Sequence, residues 1–219
     1  MAEIVPLYPT QAAPARTPAL VRYTGLTVAA TALVAVAAHV SVPLFFTPVP
    51  ITLQTLAVLF LGLLMGPRWS FATLSLYLAE GAAGLPVFSP HGPGGVLQLF
   101  GPTGGYLLSY PFAAAAAGLL FHWLGRRLAP LFTGGGFIAA VVSAFVPSLF
   151  ILAVGAVWLA AQTHAPARLI LAQAVVPFFA GDLIKVCLAA AAVTGIARLN
   201  RGKIDRQDGD RPDAATRPA

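Results

Sequence analysis

Gly181-Asp182-Leu183-Ile184-Lys185 stands inside residues 169–197, an otherwise apolar run long enough to cross a membrane. Asp182 and Lys185 are the only acid and base in that run. Three positions apart on a helix, they lie about 60° apart around its axis and point the same way. A charge at mid-bilayer depth costs about 2.5–3.5 kcal/mol on insertion scales. A helix that keeps two such groups on one face turns that face inward, onto a ligand or onto each other. In the structural reading the pair is a buried salt bridge that fixes the helix in its bundle, with little net stability to show for it. In the functional reading Asp182 accepts hydrogen bonds from ligand N–H groups while Lys185 donates to a carbonyl or carboxylate.

The rest of the chain agrees with a membrane setting. Of 219 residues, 58% are hydrophobic and only 9% charged, where soluble domains carry about 25%. Mean hydropathy is +0.82. The net charge of +6 is not gathered into a nucleic-acid footprint, so no nucleic-acid partner is expected. The single cysteine, Cys187, sits in an apolar segment, without a disulfide partner or metal-ligand company. The four histidines are far apart and share no metal spacing. Residues 1–22 hold Pro6, Pro9, Pro14 and Pro18 without an apolar core. They read as a disordered cytoplasmic lead rather than a signal peptide.

Prolines and glycines divide the apolar part. No charge occurs between Arg22 and Arg68, and Pro43, Pro48 and Pro50 break that stretch. The expected helices are 23–40, 52–65, 69–83, 104–123, 137–161 and 168–199, with a bend at Pro147 and a kink at Pro177. The second and third are short for a span, so a re-entrant hairpin is their alternative. Residues 200–219 read as a disordered cytoplasmic tail. With six crossings and both termini in the cytoplasm, that side receives Arg16, Arg22, Arg68, Arg126, Arg127, Arg198, Arg201, Lys203, Arg206, Arg211 and Arg217. Those are eleven of the thirteen Lys and Arg; Arg168 falls outside and Lys185 in the membrane. The positive-inside rule is satisfied at every turn.

Residues 84–103 form a Gly/Pro-rich loop too long and too apolar for a plain connector. Its backbone groups would go unpaired in lipid, so it must fold over the protein or line a cavity. Gly101-Pro102-Thr103-Gly104-Gly105-Tyr106 leads from it into the fourth helix, with Thr103 as N-cap. Free N–H groups there suit an anionic or carbonyl group. The stretch is not a phosphate loop, since the Lys-Ser/Thr of that motif is absent. Gln54 and Thr52 lie at the outer start of the second helix, where capping explains them as well as ligand contact does. Glu80 borders the outer cavity or reaches headgroup water. Thr27, Thr31 and Ala35 make a small-residue face on the first helix that allows close packing within the bundle or against a partner.

These stretches, taken in order, resemble the BioY family of biotin transporters. The resemblance is carried by Pro48-Val49-Pro50-Ile51-Thr52-Leu53-Gln54-Thr55, Leu61-Gly62-Leu63-Leu64-Met65-Gly66-Pro67-Arg68, and Gly84-Leu85-Pro86-Val87-Phe88. It continues through Gly101-Pro102-Thr103-Gly104-Gly105-Tyr106-Leu107 and Pro177-Phe178-Phe179-Ala180-Gly181-Asp182-Leu183-Ile184-Lys185. Members are the substrate-capturing S components of energy-coupling-factor (ECF) transporters. The resemblance implies an all-α membrane protein of six transmembrane helices, with residues 23–199 as the biotin-binding domain and the site near the outer face. Loops after helices 1 and 3 would cap that site, and helices 4 to 6 would floor it. Asp182 and Lys185 match the family's pair residue by residue. Phe88 and Tyr106 are the expected aromatic walls, with Thr103 and Gln54 as further contacts. Thr27, Thr31 and Ala35 stand where S components often carry an Ala-x-x-x-Ala pattern that docks a membrane coupling subunit.

The expectation is therefore a multi-pass plasma-membrane protein without catalysis or cofactor, which binds biotin and works with a coupling subunit and two ATPases. The chain itself has no ATP-binding motif. Capture of another vitamin is the nearest rival. An intramembrane enzyme using Asp182 and Lys185 as acid and base, and a purely structural subunit, are the rivals of other classes.

Overall fold

The computed structural model describes residues 17–128 and 135–209, all but a short ladder of it helical or looped. Helix α1 (Thr17–His39) leads into β1 (Ser41–Val42), which pairs antiparallel with β2 (Ile51–Thr52) in the register Ser41↔Thr52 and Val42↔Ile51. The ladder closes the three-proline loop at its base, and Leu53 N–H donates to Val40 O at 3.1 Å just beyond it. The prolines break the helix as expected. The two-residue ladder was not anticipated, because strands this short leave no periodic trace.

Helix α2 (Gln54–Ala82) consists of two arms joined at Gly66, whose φ of 76° and ψ of 175° belong to a region essentially reserved for glycine. The chain reverses there. Thr73 Oγ1 lies 3.9 Å from Met65 Sδ, and Gln54 Nε2 donates to Tyr77 OH across 2.7 Å. A continuous helix would hold residues 54 and 77 about 35 Å apart. Pro67 opens the second arm, where its missing N–H costs nothing. The arms are the expected second and third helices.

The loop after α2 holds a short helix, α3 (Gly95–Phe100), before α4 (Gly104–Leu128). The Thr103 carbonyl accepts from Leu107 N–H at 3.2 Å, as a residue at the cap of α4 should. Helix α5 (Gly135–Thr163) runs unbroken through Pro147. The expected sixth helix is divided into α6 (Ala167–Ala174) and α7 (Val176–Gly209) by Val175, at φ −125° and ψ −59°. Pro177 sits in the first turn of α7, where a proline is tolerated. The helices also overrun the expected lead and tail, starting at Thr17 and ending at Gly209. The remainder of both, residues 1–16 and 210–219, lies outside the described residues.

Helix α4 is the centre of the bundle, packed against both arms of α2 and against α5. Small residues make this possible. A Cβ on Gly62 would fall 2.6 Å from Ala114 O, and one on Gly118 would fall 2.7 Å from Gly62 O. Lipid offers no hydrophobic drive between helices, so close backbone contact of this kind is what holds them. The core runs through Val34, Val58, Leu74, Tyr77, Ala113 and Ile151. The outer helix faces are as apolar as the core: Val36 is 65% exposed, Leu119 60%, Val157 70% and Ile184 63%. Among the described residues, four helical stretches are long and apolar enough to cross a membrane: Gln54–Ala82, Gly104–Leu128, Gly136–Thr163 and Ala167–Asn200.

Candidate substrate-binding site

A cavity lies between the bundle and the loops. From α2 come Gln54 and Thr55, from the loop and α3 Ser89 and Gln98, and from the start of α4 Thr103, Tyr106 and Tyr110. Ile151 and Leu152 on α5 and Phe178, Asp182 and Lys185 on α7 complete it, with Val49, Pro50 and Thr52 over the top. Its open volume is ≈ 40 Å³, well under the roughly 300–1,000 Å³ of a small-molecule site. A vitamin-sized ligand must therefore push side chains or loops apart.

Asp182 and Lys185 are 5% and 6% exposed, and Lys185 Nζ lies 2.9 Å from Asp182 Oδ1. The pair is held from two other helices. Lys185 Nζ donates to Thr55 Oγ1 at 3.0 Å, while Thr55 Oγ1 is 3.5 Å from Asp182 Oδ1. Ser148 Oγ on α5 donates to Asp182 Oδ2 at 3.4 Å. An ammonium has three hydrogens and a carboxylate about four lone-pair sites. Lys185 thus keeps one donor and Asp182 keeps acceptor capacity, both turned toward the cavity they line. The arrangement suits a neutral group that presents N–H and C=O side by side. Two charges buried this deeply are stable only when both stay paired and hydrogen-bonded.

Tyr106 is fixed from both ends. A Cβ on Gly155 would collide with its ring, so α5 leaves it a seat. Its hydroxyl donates to Ala174 O at 2.8 Å. That carbonyl ends α6, and the break at Val175 leaves it without its helical donor, since Phe178 N–H turns to Val175 O. The break and the tyrosine thus satisfy each other, and the Phe178 ring comes to stand 6.3 Å from the Tyr106 ring. Gln54 is tied back through Tyr77, whose OH donates to Val87 O at 2.8 Å.

Of the expected contacts, Asp182, Lys185, Tyr106, Thr103 and Gln54 all line one cavity. Phe88 does not. It is 4% exposed, edge-on to Tyr77 with ring centroids 5.4 Å apart, and fills the notch left by Gly81, where a Cβ would collide with it. It anchors the loop from behind, and the aromatic wall consists of Tyr106, Tyr110 and Phe178 instead. Thr55, Ser148, Ser89 and Gln98 were also missed. A lone hydroxyl or amide in an apolar run carries no signal of its own, whereas Tyr110 and Phe178 did have one, four positions from Tyr106 and Asp182 on the same helix faces.

The small-residue face of α1 is turned inward. Thr31 is 2% exposed, and its hydroxyl donates to Glu80 Oε1 at 3.2 Å. Ala35 packs on the core and Thr27 is half-buried. Docking of a partner through Thr31 is therefore corrected: the close approach it allows is between α1 and the second arm of α2. Glu80, unassigned from sequence, is the acceptor in that contact.

A family model described as the BioY family matches residues 10–202. A probable biotin transporter BioY of Pyrococcus horikoshii is 36% identical over 168 residues, 77% of this chain and 90% of the relative. The biotin transporter BioY of Thermotoga maritima is 34% identical over 175 residues, covering 77% and 92%. The solved structure of an S-component for biotin from an ECF-type ABC transporter aligns with a TM-score of 0.72 and 26% identity, over 85% of this chain and 95% of that one.

Proposed function

The chain belongs to the BioY family, and from that premise we propose that it is a biotin-capturing S component of an ECF transporter. It is a membrane transport subunit rather than an enzyme, and biotin is its cargo rather than a cofactor. The observation that carries the reading is the buried Asp182–Lys185 pair opening into a cavity whose other walls are uncharged, part apolar and aromatic and part hydroxyl and amide. Biotin's ureido ring offers two N–H donors and a carbonyl, matching what the pair leaves free. Tyr106, Tyr110 and Phe178 suit its bicyclic body, and Thr103 and Gln54 its polar periphery.

In this reading the chain crosses the membrane six times, through α1, the two arms of α2, α4, α5, and α6 with α7 as one span. Both termini are cytoplasmic, and the site faces outward under loops 43–50 and 84–103. Residues 23–199 are the transport domain. A coupling module of one membrane subunit and two ATPases supplies the energy. It docks on α1, though not through the buried Thr31.

Equilibrium binding of radiolabelled biotin to the detergent-purified protein tests the assignment. Saturable binding, displaced by unlabelled biotin, is expected. No saturable binding, or displacement by an unrelated vitamin at lower concentration than by biotin, would sink it.

A further inference from the structure

Two buried side-chain hydroxyls lack a partner among the described residues, Ser89 Oγ and Ser143 Oγ. Ser143 lies on α5 and does not line the cavity. Ser89 does, at 7% exposure. Its place is set with care. Gln98 Nε2 donates to Ser89 O at 3.2 Å, and Gln98 Oε1 accepts from Gly94 N–H at 3.1 Å, so both ends of one buried amide clip the loop into shape. Gly92 lies flush on that amide, where a Cβ would come 2.7 Å from Gln98 Cδ. A loop pinned this firmly still presents a hydroxyl without a partner among the described residues. Burying such a group is unfavourable unless a partner arrives.

We propose that Ser89 is a ligand contact, its hydroxyl donating a hydrogen bond to the tail carboxylate of the captured vitamin. The inference rests on the biotin reading above and extends it. Among the described residues, Asp182 and Lys185 are the only charged groups lining the cavity. A carboxylate beside Asp182 would be repelled, and two of the three Lys185 hydrogens are already committed. The ureido ring has no such conflict there. The tail is thereby directed to the loop side, where Ser89 donates and Thr103 marks the start of α4, the helix end that favours an anion.

The test compares wild type with Ser89→Ala in three measurements on the purified protein: affinity for radiolabelled biotin, displacement by the biotin carboxamide, and thermal unfolding without ligand. Ser89→Ala is expected to weaken biotin binding about 10- to 100-fold, the worth of a hydrogen bond to a charged group. Its unfolding temperature is expected to hold or rise, because an unpaired buried hydroxyl has been removed. Toward the carboxamide, the difference between variant and wild type shrinks to a few-fold. Biotin affinity within twofold of wild type overturns the assignment, as does an equal penalty on the carboxamide. A lowered unfolding temperature does so too, since it makes the hydroxyl structural. A wild type that binds no biotin removes the function on which the inference rests, and the inference with it. One that binds beside an unaffected Ser89→Ala removes the role of Ser89 alone.

Discussion

The buried pair answers to stability and to ligand in opposite ways, and that separates the structural from the functional use. Lys185→Met alone leaves Asp182 without its counter-charge at 5% exposure, with only the long contacts of Thr55 and Ser148. An uncompensated buried charge of this kind costs about 3–5 kcal/mol. Asp182→Asn combined with Lys185→Met removes both charges, and stability is expected to return close to wild type. Biotin binding is not expected to return, because the acceptor and donor for the ureido ring are gone. Asp182→Asn alone is expected to weaken binding by about 1.5–3 kcal/mol. Thermal unfolding and equilibrium binding on the three variants give the answer. A double variant that recovers both quantities would reduce the pair to a salt bridge. The two residues were recognisable in the sequence because a charge in an apolar run stands out. Thr55 and Ser148, which orient them, were not, because membrane helices carry many hydroxyls that bond only to their own backbone.

At the level of elements, breaks were readable and contacts across them were not. Pro43, Pro48 and Pro50 announced the first loop, Gly66-Pro67 the second turn, and Pro177 a disturbance in the last helix. Each works locally, through a missing N–H or a φ that other residues avoid. Whether the second and third helices formed a hairpin could not be read from their lengths. The bond from Gln54 to Tyr77 shows the arms lying side by side. Phe88 was misplaced for the same reason: its pocket is made by Gly81 and Tyr77, one helix arm away. Gly66 gives the hairpin its test. Gly66→Ala forces a Cβ into a glycine-only conformation and is expected to destabilise the protein by about 1–3 kcal/mol. Gly195 on α7 has open space around it. Gly195→Ala is therefore expected to be neutral or to stabilise by about 0.5–1 kcal/mol, the ordinary helix preference. Unfolding temperatures that move in the same direction for both variants would count against the hairpin geometry.

For the whole molecule, the orientation proposed above rests on charge, and the fold gives that charge a consistent geometry. The turn at Gly66-Pro67-Arg68, the end of α4 with Arg126 and Arg127, and Arg198 near the end of the apolar stretch carry basic residues. The loops at 43–50 and 84–103 carry none. Residues of both loops line the cavity, and Gln173 Nε2 on α6 reaches Phe46 O at 2.9 Å on the same side. Trp158 and Gln162 on α5 hold Gly101 O and Phe100 O at the same end. If the basic ends are cytoplasmic, every part of the cavity roof is outside and the ligand is captured from that side. Single cysteines read this directly once Cys187, which is exposed on the outer surface of α7, is replaced by alanine. Phe45 projects fully from its loop and His164 is exposed beyond α5. In intact cells, Phe45→Cys and His164→Cys are expected to react with a membrane-impermeant maleimide. Arg68→Cys and Asn200→Cys should react only after the membrane is opened, with the ten other Lys and Arg assigned to the cytoplasmic side still holding the orientation in the Arg68 variant. Labelling of Arg68→Cys from outside would turn the α2 hairpin into a re-entrant element and reduce the crossings from six to four. Labelling of Asn200→Cys from outside would place the C-terminal end of α7 on the same side as the cavity roof.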